Sequence, residues 1–226
     1  MLEDNRSINK MNNIPEISMI DYKDLGQMNY QDAWDLQKDF QKKRINNEVA
    51  DTLFLVEHEP VYTLGKNANA DHILGSAGTD VNVFQIERGG DVTYHGPGQI
   101  VGYPIIDLHS YKTSVSWYMR TLEEVIIQTL MKFGISADRK EGLTGVWVED
   151  EKVAALGVRV SRWVTMHGFA LNVNTDLNFY KGIIPCGIFE YGVTSMEKLL
   201  NEHVSFEDVK NELVVQFRKQ FNPEKF

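Results

Sequence analysis

No regular helix can run through residues 88–99. The stretch Arg88-Gly89-Gly90-Asp91-Val92-Thr93-Tyr94-His95-Gly96-Pro97-Gly98-Gln99 holds four glycines and a proline in twelve residues, and both types are strongly disfavoured inside a helix. Glycine permits positive φ and lets main chain approach a neighbour with no Cβ in the way, while proline stiffens the return. Two readings follow from composition: a pair of tight turns between short strands, or a loop that lines a ligand. A phosphate cradle fits poorly, because the chain lacks G-x-x-x-x-G-K-[ST] and no lysine is positioned after Gly96-Pro97-Gly98.

The pattern around this block is of strands with isolated helices. Pro15 to Tyr22 reads as the start of a strand. Met28 to Asn47 has Tyr30, Ala33, Trp34, Leu36 and Phe40 at helical spacing against Lys38, Lys42, Lys43 and Arg44. Thr52–Val56 and Val61–Leu64 read as strands parted by the turn-prone Glu59-Pro60, and Val83–Ile86, Val92–Tyr94 and Ile100–Ile106 continue the strand character. Ser114 caps a second helix that Gly134 stops. Gly145–Val148 and Lys152–Val160 form a hairpin about Glu149-Asp150-Glu151, Trp163–Val173 adds a strand, and a last helix begins at Ser205 with Ser-x-x-Asp. Runs of strands without strict βαβ alternation predict an α/β (α+β) fold, a mixed sheet with helices packed on it.

The 226 residues, 42% of them apolar, suffice for one globular domain. The polar residues 1–14 read as a flexible N-terminal arm and 15–226 as a single domain. A net charge of −9 argues against nucleic acid as the main partner. No apolar run approaches the roughly 18 residues of a membrane span, and the polar start has no signal-peptide core, so the expected address is cytoplasmic, away from membrane. One cysteine excludes an intramolecular disulfide.

Three further stretches carry single conspicuous polar groups. Lys152-Val153-Ala154-Ala155-Leu156-Gly157 and Thr165-Met166-His167-Gly168-Phe169-Ala170-Leu171-Asn172 are apolar strands bearing a lysine and a histidine. Taken alone, such residues are more often a solvated cation and a satisfied core histidine than catalysts. In Gly182-Ile183-Ile184-Pro185-Cys186-Gly187-Ile188 the thiol sits between proline and glycine, where it is either an inert buried cysteine or a nucleophile offered to a substrate. A metal site from His95, His167 and Cys186 lacks any short ligand spacing, so no metal is expected.

Taken together and in this order, Arg-Gly-Gly-x-x-Thr-Tyr-His-Gly-Pro-Gly-Gln, Lys-x-Ala-x-x-Gly, His-Gly-x-Ala-Leu-Asn and Pro-Cys-Gly-Ile resemble the lipoyl(octanoyl) transferase family, and Glu57 to Gly65 (EHEPVYTLG) extends the likeness. The resemblance implies the catalytic fold shared with biotin and lipoate protein ligases and a cysteine and lysine dyad at Cys186 and Lys152. It implies an acyl site lined by Arg88, Gly89, Gly90, Asp91, Val92, Thr93, Tyr94 and His95, by Ala155, Leu156 and Gly157, and by His167, Gly168, Phe169 and Ala170. Asp91 falls at a variable position of the first motif, and the arm before Asn13 is longer than the family needs.

The implied reaction moves an octanoyl group from octanoyl-acyl carrier protein, through a thioester on Cys186, to a lysine of a lipoyl domain, such as those of 2-oxoacid dehydrogenase E2 subunits and glycine cleavage H protein. Thioester to thioester to amide runs downhill, so neither ATP nor a cofactor is expected, and a nucleophilic cysteine lets two protein substrates visit in turn. Lys152 would carry protons, and backbone N–H groups of the glycine-bearing loops would stabilise the oxyanion. Which of Val153, Leu156, Phe169 and Leu171 face the acyl chain depends on strand register. Acidic partners meeting an acidic chain predict a basic rim drawn from Lys38, Lys42, Lys43, Arg139, Lys140, Arg159, Arg162 and Lys181. The rival readings are an ATP-dependent lipoate or biotin protein ligase, against which Cys186 speaks, and a silent acyl-binding module, against which the intact pair speaks.

Overall fold

The computed structural model describes residues 20–66, 68, 70–74, 81–184 and 191–222. Cys186 and its neighbours Pro185, Gly187 and Ile188 lie outside the described residues, as does the expected N-terminal arm. In chain order the elements are β1 (Asp21–Gln27), α1 (Tyr30–Ile45), β2 (Thr52–Glu57), β3 (Val61–Leu64), β4 (Asn82–Gln85), β5 (Val92–His95), β6 (Gln99–Ile105), α2 (Val115–Lys132), β7 (Asp138–Lys140), β8 (Leu143–Val148), β9 (Glu151–Ser161), β10 (Val164–Asn172), β11 (Gly192–Val193), α3 (Met196–Leu200) and α4 (Phe206–Gln220).

Local chemistry fixes the helix starts. The side chains of Asn29, Ser114 and Ser205 each accept a hydrogen bond from the backbone N–H three residues on, at 2.9, 3.2 and 3.3 Å, satisfying donors that the first turn leaves without an intrahelical partner. The main sheet runs β1-β2-β6-β10-β9-β8-β7, with β11 added beside β9, and β4-β3-β5 form a second, smaller sheet.

Both faces of the main sheet are covered, and the strand sequences show it. In β2, Leu53 and Leu55 join the core made with α2 and α4, whereas Phe54 and Val56 join the one under α1, as the period of two along a strand requires. This is why β2 reads as an unbroken apolar run. Among the described residues no helix is long and apolar enough to cross a membrane.

The buried stripe of α1 differs from the expected one. Tyr30 and Ala33 are inside, but the next two turns bury Gln37 and Gln41. Gln41 Nε2 donates to the Val164 carbonyl (2.9 Å), and Gln37 Oε1 accepts from the His167 N–H (3.0 Å). Pairing of β10 with β6 begins only at Phe169, and before that point the Val164 carbonyl and the His167 N–H take these helix side chains as partners, while the Thr165 N–H donates to the Ile106 carbonyl.

Candidate active site

Where the small sheet meets the main one, the glycine-rich block lies on β9. The Gly89 N–H donates to the Val158 carbonyl at 3.0 Å. A Cβ on Gly157 would stand 2.9 Å from both Arg88 Cδ and the Gly89 carbonyl oxygen, so only glycine allows the two chains to approach this closely. Arg88 is buried there, with Nη2 donating to the Thr63 carbonyl (2.8 Å) and hydroxyl (2.9 Å).

Beside this junction is a cavity of about 630 Å³. Its walls include Arg88 to Thr93, His95, Lys152, Ala155 to Gly157 and His167 to Ala170, all expected from the motifs. Tyr94 is the exception. Its ring packs in a cluster with Tyr62, Phe179 and Tyr180. Sequence reading missed Tyr30, Val101, Tyr103, Val115, Met119, Leu143, Thr144, Asn172, Tyr180 and Val193, which also line the cavity and lie outside the four motifs apart from Asn172. Of the apolar candidates, Leu156 and Phe169 line the cavity, whereas Val153 and Leu171 are fully buried in the core beneath α2 and α4.

His95 and His167 line the cavity, and His58 stands behind them with its ring centroid 6.0 Å from that of His95. His58 Nδ1 donates to the Met28 carbonyl (2.7 Å), which leaves Nε2 to accept from the Tyr103 hydroxyl (2.8 Å). His95 Nδ1 donates to Gln99 Oε1 (2.8 Å), while Gln99 Nε2 donates to Asn172 Oδ1 (2.9 Å). Burial lowers the pKa of His58 to about 4. Burial, then the neighbouring His58 and the Arg88 guanidinium, lower that of His95 to about 3. His167 is brought to about 3 by burial, helped by Arg88 and Arg159, and its ring Nε2 is buried with no hydrogen-bond partner. Its backbone has φ +60°, a left-handed conformation uncommon for a residue with a side chain and typical of sites held by their surroundings. At neutral pH these three imidazoles are uncharged.

Lys152 stands at another wall. It is the second residue of β9, partly buried, paired across the sheet with Trp147 of β8 and flanked on the other side by Val193 of β11. The described residues on either side of 185–190 are tied to this region. Ile184 N–H donates to the His72 carbonyl (2.8 Å), Ile183 is buried, and beyond the gap Tyr191 meets Trp147 edge-on with centroids 5.4 Å apart.

Comparison with known proteins shows the family and the fold. The profile of the lipoyl protein ligase A/B catalytic domain matches residues 29–218. An octanoyltransferase of Gloeobacter violaceus is 51% identical over 164 residues, covering 72% of this chain and 73% of the relative. One of Cytophaga hutchinsonii is 46% identical over 214 residues, covering 84% and 88%. Among solved structures, a putative lipoate protein ligase of T. acidophilum superposes with a TM-score of 0.67 at 14% identity, over 89% of this chain and 84% of that one. The biotin protein ligase of Aquifex aeolicus with biotin and ATP gives 0.56 at 12%, over 91% and 71%. The solved structures share the fold, the sequence relatives are 46–51% identical over most of the chain, and the chain therefore belongs to the lipoyl protein ligase A/B catalytic-domain family, among its octanoyltransferases.

Proposed function

We propose that this chain, as one catalytic domain over residues 15–226, acts in the cytoplasm. There it moves an octanoyl group from octanoyl-acyl carrier protein to a lysine of a lipoyl domain by way of a thioester on Cys186. The observation that carries the reading is the cavity itself, which joins the Lys152 side chain to apolar walls from Val101, Leu143, Leu156 and Phe169. A linear acyl chain fits such walls, and an amine at the rim fits the proton traffic of acyl transfer.

In the first half-reaction the Cys186 sulfur attacks the thioester carbonyl, a carbon–sulfur bond forms, and the departing phosphopantetheine thiolate takes a proton from Lys152. In the second, the acceptor amine attacks, the enzyme thioester breaks as the amide forms, and Lys152 accepts the amine proton. A free cysteine titrates near ~8.5, so an ammonium beside it favours the thiolate. The neutral imidazoles of His95 and His167 add no charge to walls that must admit an apolar chain. The anchoring of Ile183 and Tyr191 around the cavity supports the pairing of Cys186 with Lys152.

Without ATP, octanoyl-acyl carrier protein should leave one octanoyl group on the protein, and a lipoyl domain should remove it. A strict requirement for ATP, with no covalent acyl-enzyme, would place the chain with the ligases instead.

A further inference from the structure

Lys152 and Trp147 are direct partners in the β8–β9 ladder, so their side chains leave the sheet on one face. The Lys152 ammonium lies over the indole, 4.7 Å from the ring centroid. Trp147 is itself held: it is only 4% exposed and its ring meets Tyr191 edge-on at 72°. Tyr191 in turn carries the Lys140 ammonium at 3.9 Å, and Lys140 is ion-paired with Asp150.

The lysine stem is confined as well. Gly145 has φ +134°, and a Cβ there would stand 3.1 Å from Lys152 Cε, 3.3 Å from Cδ and 2.9 Å from the Ala154 carbonyl oxygen. The Gly145 N–H donates to Glu123 Oε1 (3.2 Å), a buried carboxylate whose other oxygen takes Arg120 (2.8 Å) and Arg139 (3.1 Å). A carboxylate this buried is retained only where it is fully paired. Here its pairing fixes the backbone past which the lysine runs.

We infer that Trp147 is a positioning residue for Lys152, its indole face holding the ammonium at the cavity wall while Gly145, pinned by Glu123, leaves room for the stem. The inference rests on the reading of Lys152 as the proton carrier. A long, flexible amine left unguided spreads over many rotamers, whereas the electron-rich face of tryptophan is the strongest of the aromatic cation partners. A purely structural tryptophan would need only its volume, but this role needs the electron density of its face.

Site-specific incorporation of mono-, di- and trifluorinated tryptophan at position 147 separates the two, because fluorine withdraws density from the ring with little change in size. Single-turnover acylation by octanoyl-acyl carrier protein, read by intact mass, should slow stepwise along the series to roughly a tenth of the starting rate, the scale of a desolvated cation–π contact. Melting temperatures should stay level. Trp147→Phe should retain more activity than Trp147→Leu, and in a Lys152→Met background the fluorine series should be flat. Fluorine-independent rates in a protein that still forms the acyl-enzyme overturn the positioning role alone. An equal slope in the Lys152→Met background does the same, and absence of any acyl-enzyme in the unsubstituted protein overturns the underlying reading with it.

Discussion

At the scale of single residues, Lys152 has two duties that a pair of substitutions separates. Methionine removes charge and proton transfer together, so Lys152→Met should slow both half-reactions, by about 100-fold or more for lost acid–base catalysis. Arginine keeps the charge but cannot be deprotonated in a protein. Lys152→Arg should therefore still favour the cysteine thiolate and retain some acylation by octanoyl-acyl carrier protein, slowed because the guanidinium gives no proton to the departing thiolate, and should pass the acyl group poorly to the acceptor amine. Single-turnover rates for each step are the measurement, and full transfer activity in the arginine variant would exclude Lys152 as the base.

At the scale of elements, the junction between the 88–91 turn and β9 holds the glycine-rich block against the cavity. Gly157→Ala puts a methyl 2.9 Å from backbone and side-chain atoms of that turn, which should cost about 1–3 kcal/mol as overpacking and reduce acylation by displacing Arg88. Denaturant midpoints and acylation rates of the same variant check it, and native values for both would remove Gly157 from its assigned place. Much of this layer was legible in the chain. Val61–Leu64 stands between Glu-Pro and glycine and is a strand at those bounds, and Ser114 and Ser205 cap the helices they announce. The strands β7 and β11, three and two residues long, are too short for periodicity to reveal, because their place comes from pairing partners remote in sequence. The inward face of α1 was read in part: Tyr30 and Ala33 are buried and Trp34, Leu36 and Phe40 pack against the core, but Gln37 and Gln41 were passed over because they are polar, although their spacing from Tyr30 and Ala33 is that of a buried stripe. Of the site, the four motifs supplied the cavity walls that carry glycine and polar groups. Leu143, Met119 and Val115 could not be found this way, since ordinary apolar residues look alike whether they line a cavity or fill a core. Tyr94 is not among the residues lining the cavity, since a motif names residues without saying where each side chain packs.

At the scale of the molecule, two charge effects stand out. The expected basic rim is largely neutralised, since Lys38, Lys43, Arg139, Lys140 and Arg159 each sit within ion-pair reach of an acidic side chain; rim charges that are already paired steer partners weakly. The buried histidines His58, His95 and His167 make stability depend on pH. Their folded pKa values, about 4, 3 and 3, lie below the unfolded value near ~6.5, so between those limits the unfolded chain takes up protons that the folded one refuses. Stability is then complete above about pH 6.5 and falls on acidification, by about 2 kcal/mol per histidine between pH 7 and 5. Guanidinium midpoints at the two values should differ accordingly, with a smaller difference in His58→Gln, and equal midpoints would mean that the imidazoles are not held neutral. The central claim, acyl transfer through Cys186 with Lys152 carrying the proton, is tested most directly by intact-mass measurement after mixing with octanoyl-acyl carrier protein in ATP-free buffer. The account predicts one octanoyl group on the native protein, none on Cys186→Ala, and loss of the group when a lipoyl domain is added. An unmodified native protein that nevertheless octanoylates the domain, or a Cys186→Ala variant that still does so, would contradict it.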